Sequence, residues 1–145
     1  MAITPVLHIL IVDDNPVCSA ILHHMLVSEQ FKAITTLEIT VHCSPEHALP
    51  DLKKTKYDII FTDIEMMKMS GCDMAKTIRD KSVDAYIKNR DTTIVAITSK
   101  YDSKSLIEYK EAGITECLKK PAQPASIYAI VKDRAAMILY ERSPA

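Results

Sequence analysis

The chain has 145 residues, a formal net charge of −1, 48% hydrophobic residues and 26% charged residues. This length suits one domain with a single core. The nearly balanced charge gives no bulk attraction to nucleic acid or anionic membranes, so we expect neither as a direct partner. No apolar stretch reaches the ~18–20 residues that span a bilayer, and the N-terminus shows no signal-peptide pattern. We therefore predict a cytoplasmic protein, which could also enter the nucleus in a eukaryote.

The cysteines and glycines exclude several kinds of site. The four cysteines show no C-x-x-C spacing, which in an intracellular chain favours free thiols over a disulfide or zinc framework. The only two glycines are Gly71 and Gly113. Two glycines are too few for a phosphate-binding glycine-rich loop, which excludes the Rossmann and Walker fingerprints.

The predicted elements alternate between strand and helix along the chain. Apolar runs predict strands over residues 6–12, 37–43, 58–62, 92–98 and 114–118. Helical spacing behind capping residues predicts helices over residues 16–28, 45–52, 71–80, 103–112 and 124–138. Strict alternation predicts a doubly wound α/β fold, with a five-stranded parallel sheet between five helices. The whole chain, 1–145, is predicted to be one domain with its core at about 6–140.

Two segments fit this pattern poorly. Pro50 falls inside the second predicted helix, where an interior proline costs about 3 kcal/mol. We therefore expect that helix to be short or to begin one turn later. The polar segment 81–91 is predicted to extend the preceding helix and then form a loop.

Polar side chains follow the strands where functional groups gather in open parallel sheets, at their carboxyl ends. They are Asp13, Asp14, Asp63, Thr98, Ser99 and Lys120. Three converging carboxylates raise one another's pKa unless a cation intervenes, and an all-oxygen site suits Mg²⁺. A lysine and a hydroxyl beside them can bind phosphoryl oxygens. The combination predicts phosphoryl transfer to a carboxylate nucleophile.

Five segments carry a resemblance to a known family. They are LIVDDN at 10–15, FTDIEMMKMSG at 61–71, VAITS at 95–99, EAG at 111–113 and LKKP at 118–121. In this order they resemble the response-regulator receiver domain of two-component signalling and phosphorelays. The resemblance implies a flavodoxin-like sheet of order 2-1-3-4-5. The polar segment 81–91 is similar to the receivers of eukaryotic phosphorelays and suggests a fungal-type, stand-alone regulator.

The resemblance also implies roles for individual residues. Asp63 would be the phosphoacceptor, assisted by Thr98 and Lys120. Mg²⁺ would be held by Asp13, Asp14, Asp63 and the backbone carbonyl of Glu65. Residues that modulate the reaction would be Glu65, Ser99 and Pro121, the last through a Lys120–Pro121 bond that is often cis in relatives. Such a chain is a signalling phosphoacceptor rather than a metabolic enzyme, since it promotes only its own phosphorylation and slow hydrolysis.

The family also implies partners. The phosphodonor would be a histidine phosphotransfer protein or a histidine kinase, and a downstream protein effector would receive the signal. Relatives dock the donor on the first helix, here at Val17, Ala20, Ile21 and His24.

Two departures from the family pattern leave alternatives open. Met67 replaces a proline in the loop after the third strand, and Cys117 replaces the aromatic residue three positions before Lys120. Without that aromatic, the chain could be a receiver-like interaction module that works independently of phosphorylation. A haloacid-dehalogenase-type phosphatase also forms an aspartyl phosphate, but it needs its D-x-D on the first strand, whereas Asp63 follows the third.

Overall fold

The structure, a computed structural model, describes residues 5–141 and contains one five-stranded parallel sheet. The strands are β1 Val6–Val12, β2 Thr36–His42, β3 Ile59–Thr62, β4 Thr93–Thr98 and β5 Glu116–Lys119. Their order is β2-β1-β3-β4-β5, and every neighbouring pair is parallel. The predicted doubly wound fold and strand order are therefore confirmed. The single domain over 1–145 stays a prediction, and its ends at 1–4 and 142–145 lie outside the described residues.

The helices pack on the two faces of the sheet. They are α1 Pro16–Leu26, α2 Glu29–Lys32, α3 Pro45–Lys54, α4 Gly71–Arg79, α5 Ser103–Ala112 and α6 Pro124–Glu141, and a 3₁₀ helix spans Asp84–Asn89. The prediction of five helices missed α2, which at four residues is too short to show a helical period. Within residues 5–141, none of these helices is both long and apolar enough to cross a bilayer.

The sheet divides the core into two clusters, which explains the continuous apolar runs. On one face Ile9 and Ile11 of β1 pack with Phe61 and with residues of α1 and α6. On the other face Leu10 and Val12 pack with residues of α3, α4 and α5. Because successive side chains of a strand point to opposite faces, a strand covered on both faces must be apolar throughout.

Pro50 does not shorten α3, so that prediction was wrong. The helix begins at Pro45, where the Ser44 hydroxyl accepts a hydrogen bond from the His47 amide, and it continues to Lys54. Ala48 and Leu52, on either side of Pro50, are fully buried. The free energy of burying this helix face offsets the hydrogen bond that Pro50 cannot donate.

The prediction for residues 81–91 was also wrong, since α4 ends at Arg79 and a separate 3₁₀ helix follows. Asn89 is fully buried at the end of this 3₁₀ helix. Its side chain accepts from the Tyr57 amide at 2.8 Å and donates to the carbonyls of Leu52 and Thr55 at 2.8 and 2.7 Å. The polar segment is therefore fixed to α3 and to the start of β3 by one buried amide.

Candidate functional site

The carboxylates predicted from the sequence lie together at the carboxyl ends of β1 and β3. These strands are hydrogen-bonded neighbours, and the Asp63 amide donates to the Val12 carbonyl at 3.1 Å. The Asp13 amide donates to the His42 carbonyl of β2 at 3.2 Å. One carboxylate oxygen from each of Asp13, Asp14 and Asp63 lies within 4.8 Å of the others. Strand pairing therefore brings residues 50 positions apart into one acidic cluster.

Lys120 reaches the same cluster from the loop after β5. Its amide donates to the Thr98 carbonyl at 2.9 Å, and its peptide bond to Pro121 is cis. Its Nζ lies 2.9 Å from Asp63 Oδ2 and 3.9 Å from Asp13 Oδ2. Burial acts to lower the pKa of Lys120, but the hydrogen bond and charge of Asp63 outweigh it and raise that pKa. The ammonium therefore stays charged beside Asp63 at neutral pH.

The cluster carries more negative charge than Lys120 alone neutralises. Burial raises the pKa of Asp13, and the charges of Asp63 and Asp14 act in the same direction. The donor set consists of oxygens, and the three carboxylates range from buried Asp13 to exposed Asp14. Mg²⁺ prefers such oxygen ligands and keeps part of its coordination sphere open to water. The residues therefore fit a magnesium ion.

Both oxygens of Asp63 have defined partners. Oδ1 accepts from the Ile64 amide at 2.7 Å, and Oδ2 pairs with Lys120. The Asp63 side chain is 11% exposed, and it lines a cavity at this end of the sheet. A carboxylate held in one orientation by a backbone donor and a lysine is suited to act as a nucleophile.

Gly71 packs directly against the backbone of Asp63, and its role at the site was not predicted from the sequence. It is the first residue of α4, and its amide donates to the Ile64 carbonyl at 2.9 Å. A Cβ at this position would lie 2.2 Å from the Asp63 carbonyl oxygen, which only glycine avoids. Its scarcity in the sequence, as one of two glycines, was the available signal.

Thr98 lies at the carboxyl end of β4, next to the strand that carries Asp63. It is 1% exposed, and its Oγ1 accepts from the Lys100 amide at 3.2 Å. Ser99, which follows it, is exposed. The structure thus places the predicted hydroxyl at the same sheet edge as the carboxylates.

The loop after β3 contacts the acidic cluster through a bond that the family pattern would not allow. The Met67 amide donates to Asp14 Oδ2 at 3.1 Å. The proline usual at this position has no N–H, so this bond depends on the departure at Met67. Lys68 next to it has a positive φ of 67°, and Glu65 earlier in the loop is exposed.

The proposed docking helix presents an apolar surface beside the site. Val17 and Ile21 of α1 are 64% and 52% exposed, and Ala20 and His24 are exposed as well. A cavity of about 120 Å³ opens between α1 and the loop after β5, and both Asp63 and Lys120 line it. An apolar surface therefore leads directly to the carboxylate.

Comparisons with known proteins agree with this geometry. Residues 9–132 match the family described as response regulator receiver domain. The chain is 29% identical over 127 residues to transcription factor SKN7 of Candida albicans, covering 88% of this chain and 20% of that one. It is 29% identical over 133 residues to stress response regulator protein 1 of Scheffersomyces stipitis, covering 92% and 42%. The chain thus spans less than half of these two relatives.

A solved structure shows the same fold. The receiver domain of a sensor histidine kinase of Pseudomonas aeruginosa superposes with a TM-score of 0.74 at 24% identity, covering 90% of this chain and 98% of that one. That structure is described with a magnesium ion coordinated in its active-site cleft. Together with the family match over most of the chain, the fold and the acidic cluster lead to one assignment: the chain belongs to the response regulator receiver domain family.

Proposed function

We propose that this chain accepts a phosphoryl group from a phosphohistidine onto Asp63. The observation that carries the proposal is the pairing of Asp63 with Lys120 at 2.9 Å inside a cluster of three carboxylates. Three carboxylates this close repel one another unless a cation lies between them, and such a costly arrangement is typical of a functional site.

The reaction is a displacement at phosphorus. An Asp63 carboxylate oxygen forms the new P–O bond, the P–N bond of phosphohistidine breaks, and its electron pair returns to the imidazole, which then takes up a proton. Lys120 stabilises the charge on the transferred oxygens, and the Thr98 hydroxyl donates a hydrogen bond to one of them. Mg²⁺ held by Asp13, Asp14, Asp63 and the Glu65 carbonyl would neutralise charge on the phosphoryl group.

Three further residues, Glu65, Ser99 and Pro121, are proposed to modulate the acyl phosphate formed on Asp63. Glu65 and Ser99 are exposed next to the site, where they influence access of water to the acyl phosphate. Pro121 fixes the direction of the chain directly after Lys120.

The phosphodonor is proposed to be a histidine phosphotransfer protein or a histidine kinase that docks on α1. The exposed Val17 and Ile21 and the cavity leading to Asp63 support this choice. A downstream protein would receive the signal, in a fungal-type stress-response phosphorelay such as the name of one relative suggests. All four cysteines are unpaired, which supports a reducing compartment such as the cytoplasm or nucleus.

Phosphotransfer with a matched variant tests the proposal. The chain is mixed with a phosphorylated histidine phosphotransfer protein and Mg²⁺, and the acid-labile phosphate that it gains is measured. Asp63→Asn should abolish incorporation and keep the circular dichroism spectrum of the folded protein. Persisting incorporation in this variant would refute the assignment of Asp63.

The alternative, an interaction module independent of phosphorylation, is not favoured because Asp63, Lys120 and the other two carboxylates remain assembled. Titration with Mg²⁺ and beryllofluoride, followed by NMR, separates the two functions. Amide shifts around Thr98 and Lys120 support the phosphoacceptor, and their absence supports the interaction module.

A further inference from the structure

The departure at Cys117 leaves β5 without the aromatic side chain of the family pattern. Cys117 is half-buried, and its partner on β4 is the small residue Ala96. β5 is an edge strand, so one side of its backbone faces no other strand. The strand therefore offers backbone groups that a side chain from elsewhere can bind.

An aromatic residue reaches this position from the loop between β4 and α5. The Tyr101 hydroxyl donates to the Cys117 carbonyl oxygen at 3.4 Å. The residue is 42% exposed, so more than half of its surface is covered. This contact, which is long for an O–H···O bond, links the loop to the edge strand.

One residue, Lys100, connects this tyrosine to Thr98. The Lys100 amide donates to Thr98 Oγ1 at 3.2 Å, and the Lys100 carbonyl accepts from the Tyr109 hydroxyl at 2.7 Å. Tyr109 is 3% exposed and belongs to the core, so it provides a fixed point. Lys100 directly precedes Tyr101, so a movement of the Thr98 hydroxyl is transmitted to Tyr101 across a single residue.

We propose that Tyr101 replaces the aromatic residue missing at Cys117: its hydroxyl binds the Cys117 carbonyl in the resting chain and leaves it when Asp63 carries a phosphoryl group. The inference rests on the proposed phosphoacceptor function. When the Thr98 hydroxyl turns toward a phosphoryl oxygen, it no longer accepts from the Lys100 amide. The bond from Tyr109 to the Lys100 carbonyl remains, and the chain turns about this point so that the Tyr101 hydroxyl moves away from Cys117. The Cys117 carbonyl, on the outer side of the edge strand β5, then becomes available to a protein effector.

Fluorine NMR on the full chain with 3-fluorotyrosine tests this movement directly. Addition of Mg²⁺ and beryllofluoride should shift the Tyr101 signal, assigned by its loss in Tyr101→Phe. The Tyr128 signal serves as the internal control, because its ring packs edge-on against Phe31 at 5.5 Å in the other core cluster and should not move.

Amide signals of Thr98 and Lys120 from the same chain distinguish two kinds of failure. If these amides shift while Tyr101 does not, the role of Tyr101 is refuted and the phosphoacceptor function stands. If none of them shifts, the phosphoacceptor function itself fails and the role of Tyr101 fails with it.

The affinity for beryllofluoride gives a second, independent measurement. Tyr101→Phe removes a long, exposed hydrogen bond that exists only in the resting state, so it should favour the activated state and tighten binding about twofold. Tyr128→Phe also removes one tyrosine hydroxyl and should leave the affinity unchanged. Unchanged or weaker binding by Tyr101→Phe would contradict the proposal.

Discussion

Gly71→Ala should damage both the stability and the chemistry of the domain. The added Cβ would lie 2.2 Å from the Asp63 carbonyl oxygen, whereas real Cβ contacts essentially never fall under 3.0 Å. Backbone must therefore shift by about 0.8 Å, the difference between the two distances. Overpacking of this kind costs about 1–3 kcal/mol, which lowers Tm by roughly 3–12 °C. A displacement of this size at a reacting group slows the reaction roughly 30- to 100-fold.

The other glycine of the chain provides the matched control. Gly113 has a positive φ of 101°, and a Cβ there would meet Arg79 Cγ, in a flexible side chain, at 2.6 Å. Gly113→Ala therefore costs about 1–2 kcal/mol of backbone strain and leaves Asp63 in place.

Thermal unfolding and the initial rate of phosphorylation, measured on both variants below their Tm, separate the two effects. We expect both variants to be less stable and only Gly71→Ala to be slow. A wild-type rate in Gly71→Ala, or equal slowing in both variants, would show that contact with Gly71 does not position Asp63.

Three further changes test other parts of the structure. Asn89→Ala should cost about 2–4 kcal/mol in urea unfolding, because buried backbone groups lose their partner; a cost under 1 kcal/mol would contradict this role. Burial acts to raise the pKa of Asp51, but hydrogen bonds from Tyr57 and His42 outweigh it and lower that pKa from 3.8. This stabilisation is present above pH 3.8 and is lost as the pH falls through the lowered pKa. Tyr57→Phe should therefore lower the free energy of unfolding by about 1 kcal/mol at pH 7 and by progressively less in acid. A loss that does not change with pH would show that the Tyr57 hydroxyl does not lower the pKa of Asp51. Lys120→Met removes a charge that repels a second cation, so calorimetry should show Mg²⁺ binding roughly tenfold tighter; unchanged affinity would place the ion away from this lysine.

The sheet and the acidic cluster could be predicted because their signals are local. The strands are continuous apolar runs, and Asp13, Asp14 and Asp63 directly follow two of them. Once the strands are parallel, their carboxyl ends must share an edge. Thr98 and Lys120 reach that edge for the same reason, so their placement needed no knowledge of side-chain packing.

The features that were missed depend on contacts distant in sequence. Asn89 lies in a polar segment, and only its bonds to Tyr57 and to two carbonyls of the α3 region make it part of the interior. Pro50 is tolerated because one face of its helix is buried against the core. A residue's intrinsic helix propensity gives no information about such packing. The hydrogen bond between Met67 and Asp14 joins residues 53 positions apart. Its donor is a backbone amide, so no pattern of side chains in the sequence predicts it.

The division of the core by the sheet has a consequence for signalling. The proposed donor surface on α1 rests on one cluster through Leu22 and Leu26, whereas α5 and the half-buried Cys117 rest on the other. A donor on α1 and an effector near α5 would therefore contact elements on opposite faces of the sheet, and these elements pack on different core clusters. Both elements lie next to the carboxyl end of the sheet, where Asp63 follows β3. The phosphoryl group on Asp63, rather than the packed core, would therefore couple binding of the donor to binding of the effector.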